Sequence, residues 1–504
     1  MKLCRRMEKF SIYFRILLLF VLITVAACAK KIPEAPQLPP VPPQPPPSPL
    51  EVLQKDLTAI LAEATFENAF WGVMIQSLDT EEILYQQNGE KLLIPASNMK
   101  LVTAAAALHY LQPDFRFETA VATDGAIQDG VLQGNLFVIG TGDPTISGRF
   151  HPDNTWLFRN WAEQLKDIGI HKIAGDVIGV DDFFDDERWG PGWAWDDLPY
   201  KDAAPVSALQ LNDNVFTIVL DPDRVKRFDP ENSYINVVND LQWVTENEPQ
   251  EVLWKVRGNT VRVWGRIPNG KDDYGTFAVE NPAEFFVSVL KNVLQRSGIT
   301  VRGDAYRAGD RHVVTPENVQ MLVSHQSPPL SDLLDVMMKV SQNLYAETLF
   351  KAVGKMANGK GSFEGGREAV QDFFTGMQAP SNSYLLADGS GLSRYNYLTP
   401  QLLLHLLKQM KLGPHSSTFY DSLPMAGVDG TLRNRMKGTL GENNVRAKTG
   451  ALLYVRSLSG YVTTVDGELL GFVMIANNFS APRQAAEEIQ DRVLERLAHF
   501  SRSN

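Results

Sequence analysis

The sequence predicts an α/β (α+β) protein in which an antiparallel sheet is sandwiched by helices and carries two inserted smaller domains, one α/β and one β-rich. Three observations indicate this class. Helical periodicity is found around residue 100 and again after about residue 313, and short strands with Gly/Asp turns fill the sequence between them. The stretch 445–478 alternates like two or three antiparallel strands, and an amphipathic helix follows it. Helices and a sheet separated by a long insertion fit a layered sandwich with appended modules.

The N-terminal part of the body contains a helix, a strand hairpin and a second helix. Apolar residues alternate around Trp71, Val73 and Ile75, as they do in a half-buried strand. The stretch "SNMKLVTAAAALHYL" (97–111) is apolar on most sides, so it predicts a buried helix.

Two later stretches, 158–181 and 285–310, resemble each other. Each reads as an amphipathic helix, then Gly-Ile, then a short strand that ends near Gly-Asp. We expect the two copies to form one domain, with the β-rich sequence between them nested inside it. The predicted segments are a main domain of 51–113 and 313–504, an inserted α/β domain of 114–206 and 278–312, and a nested β-rich domain of 207–277.

Composition excludes several classes of partner. The 504 residues carry a net charge of −11, which argues against binding to nucleic acid because phosphate contacts need concentrated Lys and Arg. The eight histidines are scattered, and no cluster has the spacing of metal ligands, so we expect neither a metal nor another cofactor. The two cysteines, Cys4 and Cys28, precede the folded body, which therefore has no disulfide.

The first residues are typical of a secretory signal. A positively charged region precedes "ILLLFVLITVAAC", an apolar run too short to span a bilayer comfortably. The run ends at Val25-Ala26-Ala27-Cys28, which resembles the lipobox of bacterial lipoproteins. We expect residues 1–27 to be a signal peptide and Cys28 to be acylated; an uncleaved signal anchor is the alternative.

Residues 28–50 predict a tether, because "PEAPQLPPVPPQPPPSP" favours an extended polyproline conformation. A ligand for an SH3-type domain is the weaker alternative. A spacer after an acylated cysteine would hold the folded body away from the membrane surface.

Ser97 and Lys100 form a Ser-x-x-Lys motif at the start of the buried helix. Lys100 projects back along the face that carries Ser97, and its apolar neighbours favour the neutral amine, which can act as a base. Backbone N–H groups at a helix N-terminus also stabilise a developing negative charge. Helix capping by the Ser97 hydroxyl is the structural alternative. A second match, Ser288 and Lys291, falls inside an amphipathic helix, and we interpret it as structural.

A Ser-x-N motif occurs once, at 341–343. Ser341 could relay a proton between Lys100 and a leaving group, and Asn343 could donate a hydrogen bond to a substrate carbonyl. The alternative is an ordinary serine in a loop or at a helix start.

A Lys-Thr-Gly motif lies on a predicted strand and is also unique. Lys448 offers a fixed positive charge and Thr449 a hydroxyl, a pair that suits a carboxylate. Gly450 would let an extended peptide approach the edge of the strand without a side chain in the way.

Taken together and in this order, the three motifs resemble the active-site set of penicillin-binding proteins and serine β-lactamases. The likeness covers about residues 51–497. Over this range the sequence most resembles the D-alanyl-D-alanine carboxypeptidase/endopeptidase family of low-molecular-mass penicillin-binding proteins. Four further stretches carry it: "ADGSGLSRYNYLTP", "LPMAGVDGTLRNRM", "GTGDPT" and "GWAWDDLPYKDAAPVSALQLNDN". The resemblance implies a penicillin-binding/β-lactamase-like transpeptidase fold with two domains inserted between the first and second motifs.

The resemblance also implies an activity. The expected enzyme is a penicillin-sensitive, serine-type D-Ala-D-Ala carboxypeptidase, D,D-endopeptidase or both, which acts on peptidoglycan stem peptides through an acyl-enzyme. Ser97 is the nucleophile, and Lys100 and Ser341 transfer protons. The N–H groups of Ser97 and Ala451 form the oxyanion hole. β-Lactams are expected to acylate Ser97.

Substrate contacts follow from the same likeness. Lys448 and Thr449 are expected to hold the terminal carboxylate, and Asn343 the peptide amide. Asp197 would face the amino group of a diaminopimelate side chain and Arg394 its carboxylate, a pairing that suits a zwitterion. The alternatives are a surface acid for Asp197 and a loop-closing arginine for Arg394.

Two other functions stay open at this point. A serine β-lactamase would use the same nucleophile with faster deacylation, and a non-catalytic wall-binding lipoprotein would keep only the fold. The lipobox implies the cell envelope and a lipid anchor facing the periplasm. Because Ala29 rather than an aspartate follows Cys28, we expect the outer membrane.

Overall fold

The structure is a computed structural model that describes residues 47–220, 226–313 and 318–503. The predicted signal peptide 1–27 and Cys28 lie outside the described residues. Within the described ranges the helices are α1 (Pro49–Leu61), α2 (Met99–Tyr110), α3 (Trp156–Asp167), α4 (Pro282–Arg296), α5 (Leu330–Lys339), α6 (Asn343–Asn358), α7 (Phe363–Gly376), α8 (Pro400–Leu412), α9 (Ser416–Ser422) and α10 (Arg483–Ala498).

Short strands dominate the middle of the chain, and longer ones build the sheet near its two ends. The strands are β1 (Phe70–Ser77), β2 (Ile83–Gln87), β3 (Glu118–Thr123), β4 (Ile127–Gln128), β5 (Val131–Leu132), β6 (Leu136–Gly140), β7 (Lys172–Ile173), β8 (Val177–Val180), β9 (Val215–Leu220), β10 (Lys226–Asp229), β11 (Asn236–Val244), β12 (Glu251–Arg257), β13 (Thr260–Pro268), β14 (Asp273–Ala278), β15 (Thr300–Val301), β16 (Ala305–Arg307), β17 (Gln320–Gln326), β18 (Tyr384–Leu385), β19 (Tyr397–Leu398), β20 (Arg446–Leu452), β21 (Val455–Thr463) and β22 (Leu469–Asn477).

The main sheet is antiparallel, with the order β2-β1-β22-β21-β20, and the Lys-Thr-Gly strand β20 lies at its edge. Successive residues of β22 face opposite cores, as the two-residue repeat of a strand requires. Val473 and Ile475 pack into the core that contains α2, whereas Phe472 and Met474 pack into the core formed with α1 and α10. The predicted sheet sandwiched by helices is confirmed.

The repeated helix–strand units are also present. Each unit is a helix (α3 or α4) followed by two short strands. The corresponding strands pair in parallel, β7 with β15 and β8 with β16, so the two copies lie side by side.

The inserted segments pack as one body. Phe285 and Phe286 of α4 share a hydrophobic core with Phe216 of β9 and Val261 of β13, which belong to the predicted nested segment. The two predicted insertions are therefore joined by continuous apolar packing.

Two predicted boundaries differ from the structure. Helix α1 begins at Pro49, inside the predicted tether, because proline has the backbone angle of a first helical turn and lacks the N–H that such a turn leaves unpaired. Strand β17 pairs with β3 in the sheet β16-β8-β6-β3-β17, so the main domain resumes at α5 rather than at 313. None of the described helices is long and apolar enough to cross a membrane.

Candidate active site

Ser97 and Lys100 meet where the chain enters helix α2. Residues 96–98 form one 3₁₀ turn and α2 begins at Met99. Lys100 Nζ lies 3.0 Å from Ser97 Oγ. The N-cap residue of the 3₁₀ turn is Pro95 and that of α2 is Asn98, and neither makes a side-chain capping hydrogen bond. Ser97 is therefore not a helix cap. Buried Ala96 has φ 47°, a left-handed conformation that L-residues rarely adopt and that is typical of strained functional turns.

The surroundings of Lys100 orient its amine. Besides Ser97, its Nζ donates to Asn343 Oδ1 at 2.6 Å and to the Ser390 carbonyl at 2.8 Å. Both oxygens can only accept hydrogen bonds. In the neutral amine they occupy the two N–H groups, which leaves the lone pair directed at the Ser97 hydroxyl.

The protonation state of Lys100 also suits a base. The side chain is 0 % exposed, and burial lowers its pKa to about 8, against the opposing charges of Glu347, Asp388 and Asp202. Desolvation disfavours the ammonium because a buried charge loses its hydration. A lysine with this pKa is neutral in about a tenth of the molecules at pH 7, far more often than an exposed lysine.

A second serine–lysine pair lies across the cleft. Ser341 occupies the turn between α5 and α6 with φ 61°, and Lys448 Nζ donates to Ser341 Oγ at 2.8 Å. The predicted Ser-x-N and Lys-Thr-Gly motifs thus meet, 107 residues apart in the chain.

The expected fixed positive charge of Lys448 does not fit this environment. The side chain is 0 % exposed, and burial together with the neighbouring Lys100 lowers its pKa well below the usual range. Its Nζ also donates to the Thr449 carbonyl at 2.9 Å. Lys448 therefore supports Ser341 from behind the cleft wall and is poorly suited to be the counter-ion of a carboxylate.

Asn343 is engaged more fully than the sequence predicts. Its Oδ1 accepts from Lys100, and its Nδ2 donates to the Asp202 carbonyl at 2.7 Å. One amide N–H thus ties α6 to the inserted segment. A contact of the other N–H with a substrate peptide stays a prediction.

Gly450 has a packing role that the sequence did not predict. A Cβ there would lie 2.1 Å from Ser457 Oγ, 2.8 Å from the Pro95 carbonyl and 3.0 Å from the Ser97 nitrogen. The missing side chain therefore lets β20 pack against the turn that carries the nucleophile, and the approach of a peptide to the strand edge stays a prediction.

Strand β20 also directs backbone donors into the cleft. The Ala447 N–H donates outward, to the Pro424 carbonyl at 3.0 Å. Because N–H directions alternate along a strand, the Ala451 N–H points to the same open edge. The Cβ position of Gly450 lies 3.0 Å from the Ser97 nitrogen, so β20 and the Ser97 turn are in contact here, and an oxyanion hole formed by the N–H groups of Ser97 and Ala451 stays a prediction.

A buried clasp holds β20, β21 and the Ser97 turn together. Asn98 Nδ2 donates to the Lys448 carbonyl at 2.7 Å, and Ser459 Oγ donates to Asn98 Oδ1 at 2.8 Å. Ser457 Oγ donates to the Pro95 carbonyl at 2.6 Å. This clasp could not be predicted from the sequence, because its members look like ordinary strand and helix residues until the register is known.

The predicted residues open into one cleft of about 770 Å³. Lys100 and Lys448 lie behind its wall, bonded to the two serines. The predicted residues that line the cleft itself are Ser97, Asp197, Ser341, Asn343, Arg394, Thr449, Gly450 and Ala451.

Residues 53–499 match the D-Ala-D-Ala carboxypeptidase 3 (S13) family. The chain belongs to this family. It is a serine-type D-Ala-D-Ala carboxypeptidase, and therefore a hydrolase, as the sequence resemblance implied.

Relatives of this carboxypeptidase family cover most of the chain. It is 33 % identical over 490 residues to the D-alanyl-D-alanine carboxypeptidase of Actinomadura sp. (strain R39), with 90 % of this chain and 85 % of the relative covered. It is also 33 % identical over 422 residues to D-alanyl-D-alanine carboxypeptidase DacB of Haemophilus influenzae, with 81 % and 85 % covered.

Solved structures of this kind share the fold. Penicillin binding protein 4 (dacB) of Haemophilus influenzae superposes with a TM-score of 0.76 at 30 % identity, over 88 % of this chain and 99 % of that one. Its complex with a β-lactam gives 0.72 at 29 % identity, over the same shares of the two chains. A predatory peptidoglycan endopeptidase of Bdellovibrio bacteriovorus, at 16 % identity and a TM-score of 0.51, covers 86 % of this chain and 94 % of its own and shows the fold alone.

Asp197 and Arg394 lie at the outer part of the carboxypeptidase cleft. Partial burial and the nearby Asp196 and Asp202 raise the pKa of Asp197, while Arg394 opposes that shift. Arg394 donates through Nη2 to the Leu453 carbonyl at 2.9 Å. The structure brings both side chains to the cleft, and their contact with substrate stays a prediction.

Glu347 is an active-site neighbour that the sequence analysis missed. It is fully buried on α6 and accepts from the N–H groups of Gly389 and Ser390, each at 2.8 Å. The Ser390 carbonyl in turn accepts from Lys100. Burial and the nearby Asp388 raise the pKa of Glu347 to about 8. A lone acid in the apolar run "NLYAETLF" was the available signal.

Proposed function

We propose that Ser97 attacks the carbonyl that precedes the terminal D-alanine of a peptidoglycan stem peptide. Lys100 takes the Ser97 hydroxyl proton as the new C–O bond forms. The observation that carries this assignment is the 3.0 Å contact between Lys100 Nζ and Ser97 Oγ, with two carbonyl oxygens holding the remaining N–H groups.

The tetrahedral intermediate places its oxyanion at the N–H groups of Ser97 and Ala451. Collapse breaks the C–N bond, and the leaving amine of D-alanine takes a proton from the Ser341 hydroxyl, which in turn receives the proton that Lys100 took from Ser97. Lys448, at 2.8 Å from Ser341 Oγ, donates a hydrogen bond that holds the hydroxyl in place. The product of this stage is an ester between the shortened peptide and Ser97.

Hydrolysis of the ester completes the cycle. A water attacks the same carbonyl from the cleft and gives its proton to Lys100, with Ser341 alongside. Ser97 leaves as the alkoxide and takes that proton back from Lys100. The two serine–lysine pairs thereby return to their starting states.

The test uses the soluble body from residue 47 onward with benzylpenicillin and with muropeptides. We expect one penicilloyl adduct on Ser97, found by peptide mass mapping, and release of D-alanine from pentapeptide muropeptides. A protein that forms no adduct and releases no D-alanine would refute the proposal. Rapid nitrocefin turnover without a persistent adduct would instead identify a β-lactamase.

We propose D,D-endopeptidase activity at the same serine. The cleft is open, and the opposed charges of Asp197 and Arg394 suit the zwitterionic side chain of a diaminopimelate residue. Cross-linked muropeptide dimers should be cut to monomers. In Asp197→Asn, dimer cleavage should fall more than hydrolysis of a plain D-Ala-D-Ala dipeptide; an equal fall would remove the role of Asp197.

For the N-terminus we propose a lipid anchor at Cys28 and a periplasmic body at the outer membrane. The lipobox, the proline-rich tether and Ala29 support this location. Full-length protein should partition into the detergent phase and the Cys28→Ala protein should not. Detergent partitioning of both forms would favour the uncleaved signal anchor.

A further inference from the structure

The cleft extends beyond the catalytic serine towards the hairpin between β20 and β21 and the start of α10. The residues that line this end include Thr449, Ala451, Arg456 and Gln490. Since Lys448 is buried and bonded to Ser341, Thr449 needs another source of positive charge if a substrate carboxylate binds beside it.

Arg456 lies in the right register to supply that charge. It pairs with Ala451 across the two strands, and Thr449 pairs with Leu458, two residues further along β21. Side chains two residues apart on a strand share a face, so Thr449, Ala451 and Arg456 project on the same side of the sheet. Diagonal neighbours in such a pair lie within reach of a long side chain.

The guanidinium of Arg456 is positioned by the hairpin. Its Nη1 donates to the Leu452 carbonyl at 2.8 Å and to the Val455 carbonyl at 2.6 Å. Within the described residues, Nε has no hydrogen-bond partner although it is buried. Nη1 is thus anchored, and the edge that carries Nε lacks an acceptor among the described residues. An arginine edge of this kind matches the two oxygens of a carboxylate.

The resident acid does not neutralise this end of the cleft. Glu487 Oε1 lies 3.7 Å from Arg456 Nε, beyond hydrogen-bond distance, and is held by Arg483 at 2.8 Å. One carboxylate therefore faces two arginines. Gln490, which is 1 % exposed, adds a second donor, at Nε2, that has no partner in the described part of the chain. Two buried donors without acceptors and one excess positive charge fit an anionic ligand.

We propose that Arg456, together with the Thr449 hydroxyl, binds the free α-carboxylate of the leaving D-residue. This contact makes the enzyme prefer a substrate that ends in a free carboxylate over the same substrate ending in an uncharged amide. This inference rests on the proposed function. It replaces Lys448 by Arg456 as the cation that recognises the carboxylate, and the same contact would hold the carboxylate of a penicillin.

The test compares two substrates on each protein: an N-acylated D-Ala-D-Ala dipeptide and its C-terminal amide. We expect Arg456→Ala to lower kcat/KM for the acid by about tenfold to a hundredfold and to leave kcat/KM for the amide within about twofold. Arg456→Lys, which keeps the charge but not the planar edge, should lose part of the acid preference. Because the ratio is taken on one protein sample, partial unfolding cancels.

Arg492→Ala is the matched control, since Arg492 is an exposed arginine of α10 paired with Glu63. It should keep the wild-type acid-to-amide ratio. An unchanged ratio in both Arg456 variants would overturn the inference and leave Arg456 as a partner of Glu487 only. Failure of the proposed function looks different, because the wild type would then hydrolyse neither substrate and form no penicilloyl adduct.

Discussion

Two Ser-x-x-Lys motifs occur in this chain, one where a 3₁₀ turn enters α2 and one inside α4, and each places a serine and a lysine one turn apart. In α2, Lys100 is fully buried and its Nζ contacts Ser97 Oγ, with two carbonyl oxygens from distant segments completing its contacts. In α4, Ser288 and Lys291 are half-buried, and Lys291 Nζ donates to the Gly303 carbonyl at 2.7 Å. Helical spacing brings a hydroxyl and an amine together, but the packing around the amine decides whether it can act as a base.

Removal of the two serines should give the largest contrast. Ser97→Ala should abolish penicilloyl adduct formation and lower D-alanine release by about 10⁴-fold or more, because no other hydroxyl occupies the reacting position. Ser288→Ala should keep wild-type rates. The intact mass of each variant after incubation with benzylpenicillin shows whether a penicilloyl group has been added. An adduct on the Ser97→Ala protein would mean that the nucleophile lies elsewhere.

Removal of the two amines should give the next contrast. Lys100→Met keeps the length of the side chain but removes the base, so the acylation rate should fall by about 10²- to 10⁴-fold. Lys291→Met should change it by less than about twofold. Stopped-flow or quenched acylation with a chromogenic β-lactam measures both, with circular dichroism as the check on folding. Equal rates in the two variants would remove Lys100 from the mechanism.

The close approach of β20 to the Ser97 turn can be tested with one methyl group. Gly450→Ala should lower kcat/KM on the order of 10²-fold, because the added Cβ would collide with Ser457 Oγ and displace the strand that carries the Ala451 N–H. Gly376→Ala is the matched control, since a Cβ at the end of α7 meets no atom within 4 Å. If Gly450→Ala is as active as Gly376→Ala, the contact does not position the oxyanion hole.

The smallest effect, taken per pH unit, concerns the pH dependence of acylation by Lys100. Because burial lowers the pKa of Lys100 to about 8, the ammonium form dominates below pH 8 and cannot accept the Ser97 proton. The acylation rate should therefore rise about tenfold per pH unit below 8 and level off above it. Second-order acylation rates from pH 5.5 to 9.5 at constant ionic strength test this expectation, and a flat profile between pH 6 and 8 would contradict it.

The fold was predictable where the periodicity is strong. The alternation through 445–478 predicts the strands of the main sheet, and the apolar run after Ser97 predicts helix α2. The boundary predicted at 313 lies too early because helical sequence was expected from that point, and only the pairing of β17 with β3 assigns residues 320–326 to the inserted sheet. Register between distant strands has no local signature.

The candidate site was likewise predictable only in part from the sequence. Its three motifs could be recognised because short, ordered patterns carry them, and the structure brings them together around one cleft. The protonation of Lys448 and the position of Arg456 could not be predicted. The first depends on burial beside Lys100, and the second on the pairing of β20 with β21.

The sequence by itself determined which hydroxyls and amines are available, how they are spaced within each helix or strand, and which family they belong to. Only the tertiary structure decided which Ser-x-x-Lys pair loses its water, because the carbonyl of Ser390 reaches Lys100 from 290 residues away. Spacing along a helix is a property of the local backbone, whereas desolvation depends on every segment that packs around the amine.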